Sequence, residues 1–221
     1  MVLPMRKMTE LAHSVGALVI CDGAQSCGMI PLDVSDLGVD AYALSGQKWL
    51  CGPDGTGALF LRKEHFGSVW QTYIGDEGAR LRDDDGNFVP VEGAQRYEAA
   101  TLYPASVKAL GTSLQWIAEE VGWEWAYQRI TMLGRYCYQQ LEQVEGVTIH
   151  SPYTALAGLV HFSLDGIPAD DLTEKLYERG IIVRAIPGSS FTRVSTGFYN
   201  TEKEIDQMIE TVRAVRMGKK S

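Results

Sequence analysis

VICDGAQSCGMIPLDVSDLGVDAYALSGQKWLCGPDGTG, residues 19–57, holds an acid just after one apolar run and a lysine shortly after the next. The first run, Ala17 to Cys21, ends at Asp22; the second, Asp40 to Leu44, leads into Ser45-Gly46-Gln47-Lys48-Trp49. Short apolar runs without alternation suit strands buried in a parallel sheet. In open α/β sheets ligands gather at the carboxyl ends of the strands, where Asp22 and Lys48 fall. Cys51-Gly52-Pro53-Asp54-Gly55-Thr56-Gly57 follows as a glycine-rich turn, so Lys48 lies on a sheet edge where an amine can attack an aldehyde. Asp22 is then placed as a carboxylate that keeps a pyridine nitrogen protonated. Taken alone, Lys48 would more often be a solvated turn lysine.

The ordered pattern Asp22-Gly23-Ala24-Gln25-Ser26, Ser45-Gly46-Gln47-Lys48 and Gly52-Pro53-x-Gly55-x-Gly57 resembles the class V aminotransferase family of fold type I pyridoxal-phosphate (PLP) enzymes. The resemblance implies an α/β fold: part of a large PLP-binding domain with a mostly parallel sheet and helices, then a small α/β carboxy-terminal domain. It makes Lys48 the Schiff-base lysine, Asp22 the partner of the pyridinium nitrogen and Gln25 a donor to the ring hydroxyl. Ser45 and Gln47 would lie near the phosphate. Many family members carry histidine where Gln47 stands, so no role in proton transfer is carried over to that position.

A chain of 221 residues with 45% hydrophobic and 22% charged residues can bury a sizeable core in one or two domains. Its net charge of -8 argues against nucleic acid as the main partner, because polyanion binding needs a basic surface. No apolar run approaches the roughly 20 residues of a membrane span, and the N-terminus lacks the apolar segment of a secretory signal. Cysteines 21, 27, 51 and 137 form no CxxC pair, so neither a zinc site nor a disulfide framework is expected. The expected compartment is a reducing cytoplasm.

Along the chain, Met5, Met8, Leu11, Ala12 and Val15 share a helical face, and Gly16 is a stop signal. Pro31 to Gly38 reads as a turn and short helix, and Gly57 to Leu61 as a further strand. Arg80 to Glu92 reads as a hairpin around a DG turn. Its Asp83-Asp84-Asp85 run is a solvated turn, since consecutive side chains do not converge on one ion. In Arg96-Tyr97-Glu98-Ala99-Ala100-Thr101 the family resemblance makes Thr101 a phosphate ligand supplied to the partner subunit of a homodimer. A hydroxyl capping the helix near Pro104 is the equal alternative.

Val107, Leu110, Leu114, Ile117 and Val121 form one apolar stripe; Ala126, Ile130, Leu133, Cys137 and Leu141 form another. Cys137 therefore reads as core, and Trp116, Trp123 and Trp125 as packing or dimer contacts. The division expected is residues 1–110 for the PLP-binding part and 111–221 for linking helices and the small domain. In the latter, strands are expected at Val147 to His150, Gly158 to Leu164, Ile181 to Arg184 and Phe191 to Ser195. Thr201-x-x-Glu204 opens the last helix as a capping box. His150 and His161 have no partners at ligand spacing and read as structural.

Arg193 resembles the family's carboxylate clamp, with Arg184 a second candidate; a planar guanidinium binds an α-carboxylate through two parallel hydrogen bonds. Within the family, desulfurases keep a catalytic cysteine in the small domain, whereas Ile186 to Thr192 has none. The chain most resembles the cysteine/cystine C-S lyase branch, in Asp22-Gly23-Ala24-Gln25-Ser26, the Lys48-Trp49-x-x-Gly52-Pro53 turn, the Tyr97-Glu98-x-Ala100-Thr101 segment and the nine-residue spacing of Arg184 and Arg193. The activity implied is cleavage of an amino-acid substrate's carbon–sulfur bond, with Lys48 taking the α-proton as general base. Transamination, epimerisation and desulfuration share the first half of that route. The family's large domain also begins well upstream of Met1, so an inactive or partner-dependent portion that needs the other half is the reading from a different class.

Overall fold

The computed structural model describes residues 1–218, which fall into two compact units, Pro4–Val121 and residues 1–3 with 122–218. In the first, helix α1 (Met5–Ser14) leads to strand β1 (Ile20–Asp22), helix α2 (Val34–Leu37) and strands β2 (Ala41–Ser45) and β3 (Gly57–Leu61). β1 and β2 run parallel, and β3 returns antiparallel to β2. Asp33 caps α2 by accepting from the backbone of Ser35 and Asp36, and Gly38 closes that helix at φ 72°, a conformation glycine adopts without strain.

A hairpin of β4 (Ala79–Arg82) and β5 (Phe88–Pro90) follows, its turn held by Asn87 donating to both carboxylate oxygens of Asp83. Helix α3 (Pro104–Trp116) closes the unit, continued by a π-helical turn at Ile117–Val121. Its N-cap is Tyr103 and no side chain caps it, so the capping role open to Thr101 is not used.

The start of this unit departs from expectation. The strand begins at Ile20 rather than Ala17, and among the described residues it pairs only with β2. Ile20 is 75% exposed and Leu11 and Val15 are 72% and 79% exposed; on α1 only Thr9 is buried, against Gly38. The apolar stripe of α1 is thus present as a pattern, but Met8, Leu11 and Val15 on it stay exposed among the described residues, with only Met5 and Ala12 partly covered.

The second unit contains α4 (Trp123–Glu142), β6 (Val147–Ile149), β7 (Leu159–Leu164), α5 (Ala169–Tyr177), β8 (Arg184–Ala185), β9 (Thr192–Ser195) and α6 (Glu202–Arg216). The strands form an antiparallel sheet in the order β6-β7-β9-β8. Helical period on α4 and alternation on β7 point Leu133, Cys137 and Leu141 at Val160, Phe162 and Leu164, all buried with Leu172, Leu176, Ile209 and Val212. Gly134 lets α4 approach closely, since a Cβ there would lie 2.1 Å from the Ala157 carbonyl oxygen. The strand expected over Ile181 to Arg184 is shorter and later, Arg184–Ala185, because Ile181 instead continues the turn that ends α5. The expected capping box is formed: Glu204 N–H donates to Thr201 Oγ1, and Thr201 N–H to Glu204. Arg129 on α4 holds Glu202, in the first turn of α6, through two bonds of 2.6 and 2.8 Å.

Candidate active site

The parallel pairing of β1 and β2 sets Asp22 opposite Ala43, so the acid and the Ser45–Lys48 turn leave the same end of the sheet. From Asp22 the chain turns at once: Ala24 N–H donates to Asp22 Oδ1 at 2.9 Å, while Oδ2 has no hydrogen bond among the described residues. Gly23 lies against the Tyr42 phenol, where a Cβ would come within 2.1 Å of the ring, and the Tyr42 hydroxyl meets Ser26 Oγ at 2.6 Å. Side chain and backbone together pin the segment that carries Gln25 onto β2.

The lysine turn is held with equal closeness. Gly46 N–H donates to Thr56 O, Gly52 N–H to Gly46 O and Cys51 N–H to Lys48 O. A Cβ on Gly46 would fall 2.3 Å from Thr56 Oγ1, and one on Gly52 2.6 Å from Leu110 Cδ1 of α3. Ser113 of α3 donates to the Cys51 carbonyl, and Cys51 takes the left-handed conformation at φ 56° that L residues seldom adopt. Trp49 and Leu50 are buried while Lys48 and Gln47 are exposed, so the turn is anchored from below and presents its amine outward. Trp49 Nε1–H donates to Gln25 Oε1 at 3.0 Å, tying the acid-bearing segment to the lysine turn.

Asp22, Gln25, Ser45, Gln47 and Lys48 therefore share one end of one sheet. Thr101 lies elsewhere in that unit, exposed and without a hydrogen bond among the described residues. The segment before it is fixed by Arg96, which donates to the carbonyls of Val91 and Phe66, and by Tyr97, which donates to Val69 O. Arg184 and Arg193 belong to the other unit, where β8–β9 register makes them direct neighbours. His161 faces Arg193 on the opposite side, from β7. Arg193 Nε is buried without a hydrogen-bond partner, and burial, then the charge of Arg184, hold the guanidinium below its usual pKa. Burial, then neighbouring positive charge including Arg193, likewise keeps the His161 imidazole below its usual value. Its Nδ1 meets Ser151 Oγ at 3.3 Å.

The sequence reading missed Trp49, whose partner is 24 residues away, and the placing of His161 beside Arg193. The alternation of β7 against β9 was a usable signal for the second; nothing local announces the first.

The site thus brings together an acid at a strand end, an amide, an outward-facing lysine in a glycine turn and a neighbouring hydroxyl at one end of an α/β sheet. The chain belongs to the class-V aminotransferase family, whose model matches residues 1–208. It is 29% identical over 96% of its length to a cysteine desulfurase of Haloferax volcanii and 32% identical over 97% to a probable cysteine desulfurase of Chlamydia trachomatis. Among solved structures it resembles the cystine C-S lyase C-DES in complex with cysteine persulfide, with a TM-score of 0.86 and 29% identity over 96% of the chain. The chain spans about half the length of these proteins: 52%, 56% and 57% in the same order. No helix among the described residues is long and apolar enough to cross a membrane, and none of their His, Cys, Asp and Glu side chains form a group of three suited to a metal ion.

Proposed function

We propose that this chain is the carboxy-terminal portion of a PLP-dependent enzyme that cleaves the carbon–sulfur bond of cysteine or cystine. The observation that carries the reading is the common carboxyl end of β1 and β2, which joins Asp22 to the Lys48 turn. The donor set fits the cofactor: the uncommitted Asp22 oxygen suits the ring nitrogen, the Gln25 amide the ring hydroxyl and the Lys48 amine the aldehyde. Ser45, Gln47 and, from a partner subunit, Thr101 are the phosphate ligands in this reading. When bound, PLP supplies the electron sink for bond cleavage. Lys48 would serve as the base for the α-proton, and Arg193, assisted by Arg184, would bind the substrate carboxylate.

The buried, unpartnered Arg193 Nε supports that last role, since a buried donor without a partner is costly until an acceptor reaches it. The absence of cysteine from Ile186 to Thr192 favours a lyase over the persulfide route of a desulfurase. Cytoplasmic residence fits this chemistry, because the thiols Cys21, Cys27, Cys51 and Cys137 are free.

The outer edge of β1, unpaired among the described residues, favours a second element to the reading: a further strand completes the sheet in the active form. The test is the visible spectrum of the purified chain with PLP, before and after borohydride, with Lys48→Ala as control. A yellow band that borohydride bleaches, present in wild type and absent in K48A, supports the site. No band in the chain alone, and none after adding the amino-terminal portion of a relative as a separate polypeptide, would sink it.

A further inference from the structure

We propose that Trp49 is a positioning residue that fixes the orientation of the Gln25 amide and so commits Gln25 to act as a donor. This rests on the reading of Gln25 as a ligand of the PLP ring hydroxyl. An indole N–H only donates, so its bond to Gln25 Oε1 at 3.0 Å decides which end of the amide is which. The carbonyl is turned toward Trp49, and Nε2, with two hydrogens, is turned away. Nε2 has no hydrogen-bond partner among the described residues, although Gln25 is half-buried. The fixed end and the uncommitted donor end of one side chain are what a ligand-facing amide requires.

Satisfying a buried indole is the simpler role for the bond, since buried tryptophans usually find a partner. The local packing argues for more. Trp49 is 7% exposed, and Gly28 approaches its backbone so closely that a Cβ there would lie 2.9 Å from the Trp49 carbonyl. The indole is thus a rigid anchor, immediately after Lys48 in the chain, and its partner is a flexible side chain at the strand end that carries Asp22. Rigidity passes from the lysine turn to Gln25. Without the indole hydrogen, amide oxygen and nitrogen can exchange places by rotation, and half of the resulting orientations point an acceptor at an oxygen that needs a donor.

The experiment compares Trp49→Phe, Gln25→Ala and the double variant in the full chain, by PLP titration and by the pH titration of the Lys48-dependent visible band. Trp49→Phe is expected to weaken PLP about three- to tenfold, the range for one hydrogen bond. It should also raise the midpoint of the band's pH titration, because a cofactor oxygen that loses a donor holds its shared proton more strongly. Gln25→Ala should do the same, and the double variant should add nothing. An effect of Trp49→Phe that persists undiminished in the Gln25→Ala background would overturn the proposal, since the indole would then act through packing alone. The apo chain gives an independent readout in the Trp49 indole N–H resonance. Loss of its exchange protection in Gln25→Ala supports the link, and unchanged protection defeats it. If wild type forms no Lys48-dependent band even with the amino-terminal portion of a relative added, the cofactor reading fails, while this resonance still decides whether Trp49 holds Gln25.

Discussion

Asp40 is buried just before β2 and takes three donors: His13 Nε2 at 2.9 Å, His65 Nε2 at 2.8 Å and the Val19 amide at 2.6 Å. Burial raises its pKa, but the His13 bond, the Val19 amide and the His65 bond outweigh that and hold it at about 2. The folded value lies below the unfolded one, so the stabilisation is present above the ordinary aspartate range and is lost as pH falls through about 2. Asp40→Asn should therefore lower the urea midpoint at pH 7 by the equivalent of about 1 to 3 kcal/mol and flatten the acid limb of stability against pH. An unchanged acid limb would show that another carboxylate governs it. Cys137 offers a second check. Burial pushes its thiol up to about 12, so a thiol reagent should modify it last, and only as the protein unfolds. Neither the Asp40 cluster nor the Trp49–Gln25 bond could be read from the sequence, because their partners are 27, 25 and 24 residues apart and meet only once strand register is fixed.

Elements were legible where they bury their own apolar face. The stripe Ala126, Ile130, Leu133, Cys137 and Leu141 gave α4 and its core contact together, and all five are fully buried. The stripe of α1 gave the helix but not its surroundings, since periodicity says which face is apolar and not what covers it. β8 failed at its boundary because Ile181 and Ile182 look like strand, yet the backbone there closes the end of α5. The candidate site was legible through Asp22 and Lys48, whose meaning depends on their place at strand ends. At this scale the glycine of the lysine turn is the sharpest lever. Gly46→Ala would drive a methyl to within 2.3 Å of Thr56 Oγ1 and toward Leu110, so the turn must shift. A loss of about 1 to 3 kcal/mol in stability is expected, with a weakened borohydride-fixable band at Lys48. A variant with wild-type stability and wild-type band would show that the turn has room to spare.

Across the chain, the distribution of surface matters more than its total charge. Met8, Leu11, Val15, Leu18 and Ile20 are exposed on α1, β1 and the segment between them, beside a strand edge that has no partner among the described residues. A patch of this kind marks an interface, and an open strand edge is a template for pairing. The chain should self-associate as concentration rises, and Leu11→Glu with Ile20→Lys should suppress that association while leaving the thermal transition within about 0.5 kcal/mol, as exposed sites allow. Sedimentation across a concentration series measures it; association undiminished in the double variant would place the interface elsewhere.

β1 is three residues long, and its last residue is Asp22. A strand added on the outer side would run alongside that carboxylate, hiding the greasy margin of the sheet and raising a wall next to Asp22 in one event. On the proposed reading, self-association and cofactor binding would then answer to the same strand edge. A titration in which a second polypeptide disperses the aggregates should, at the same molar ratio, turn the solution yellow.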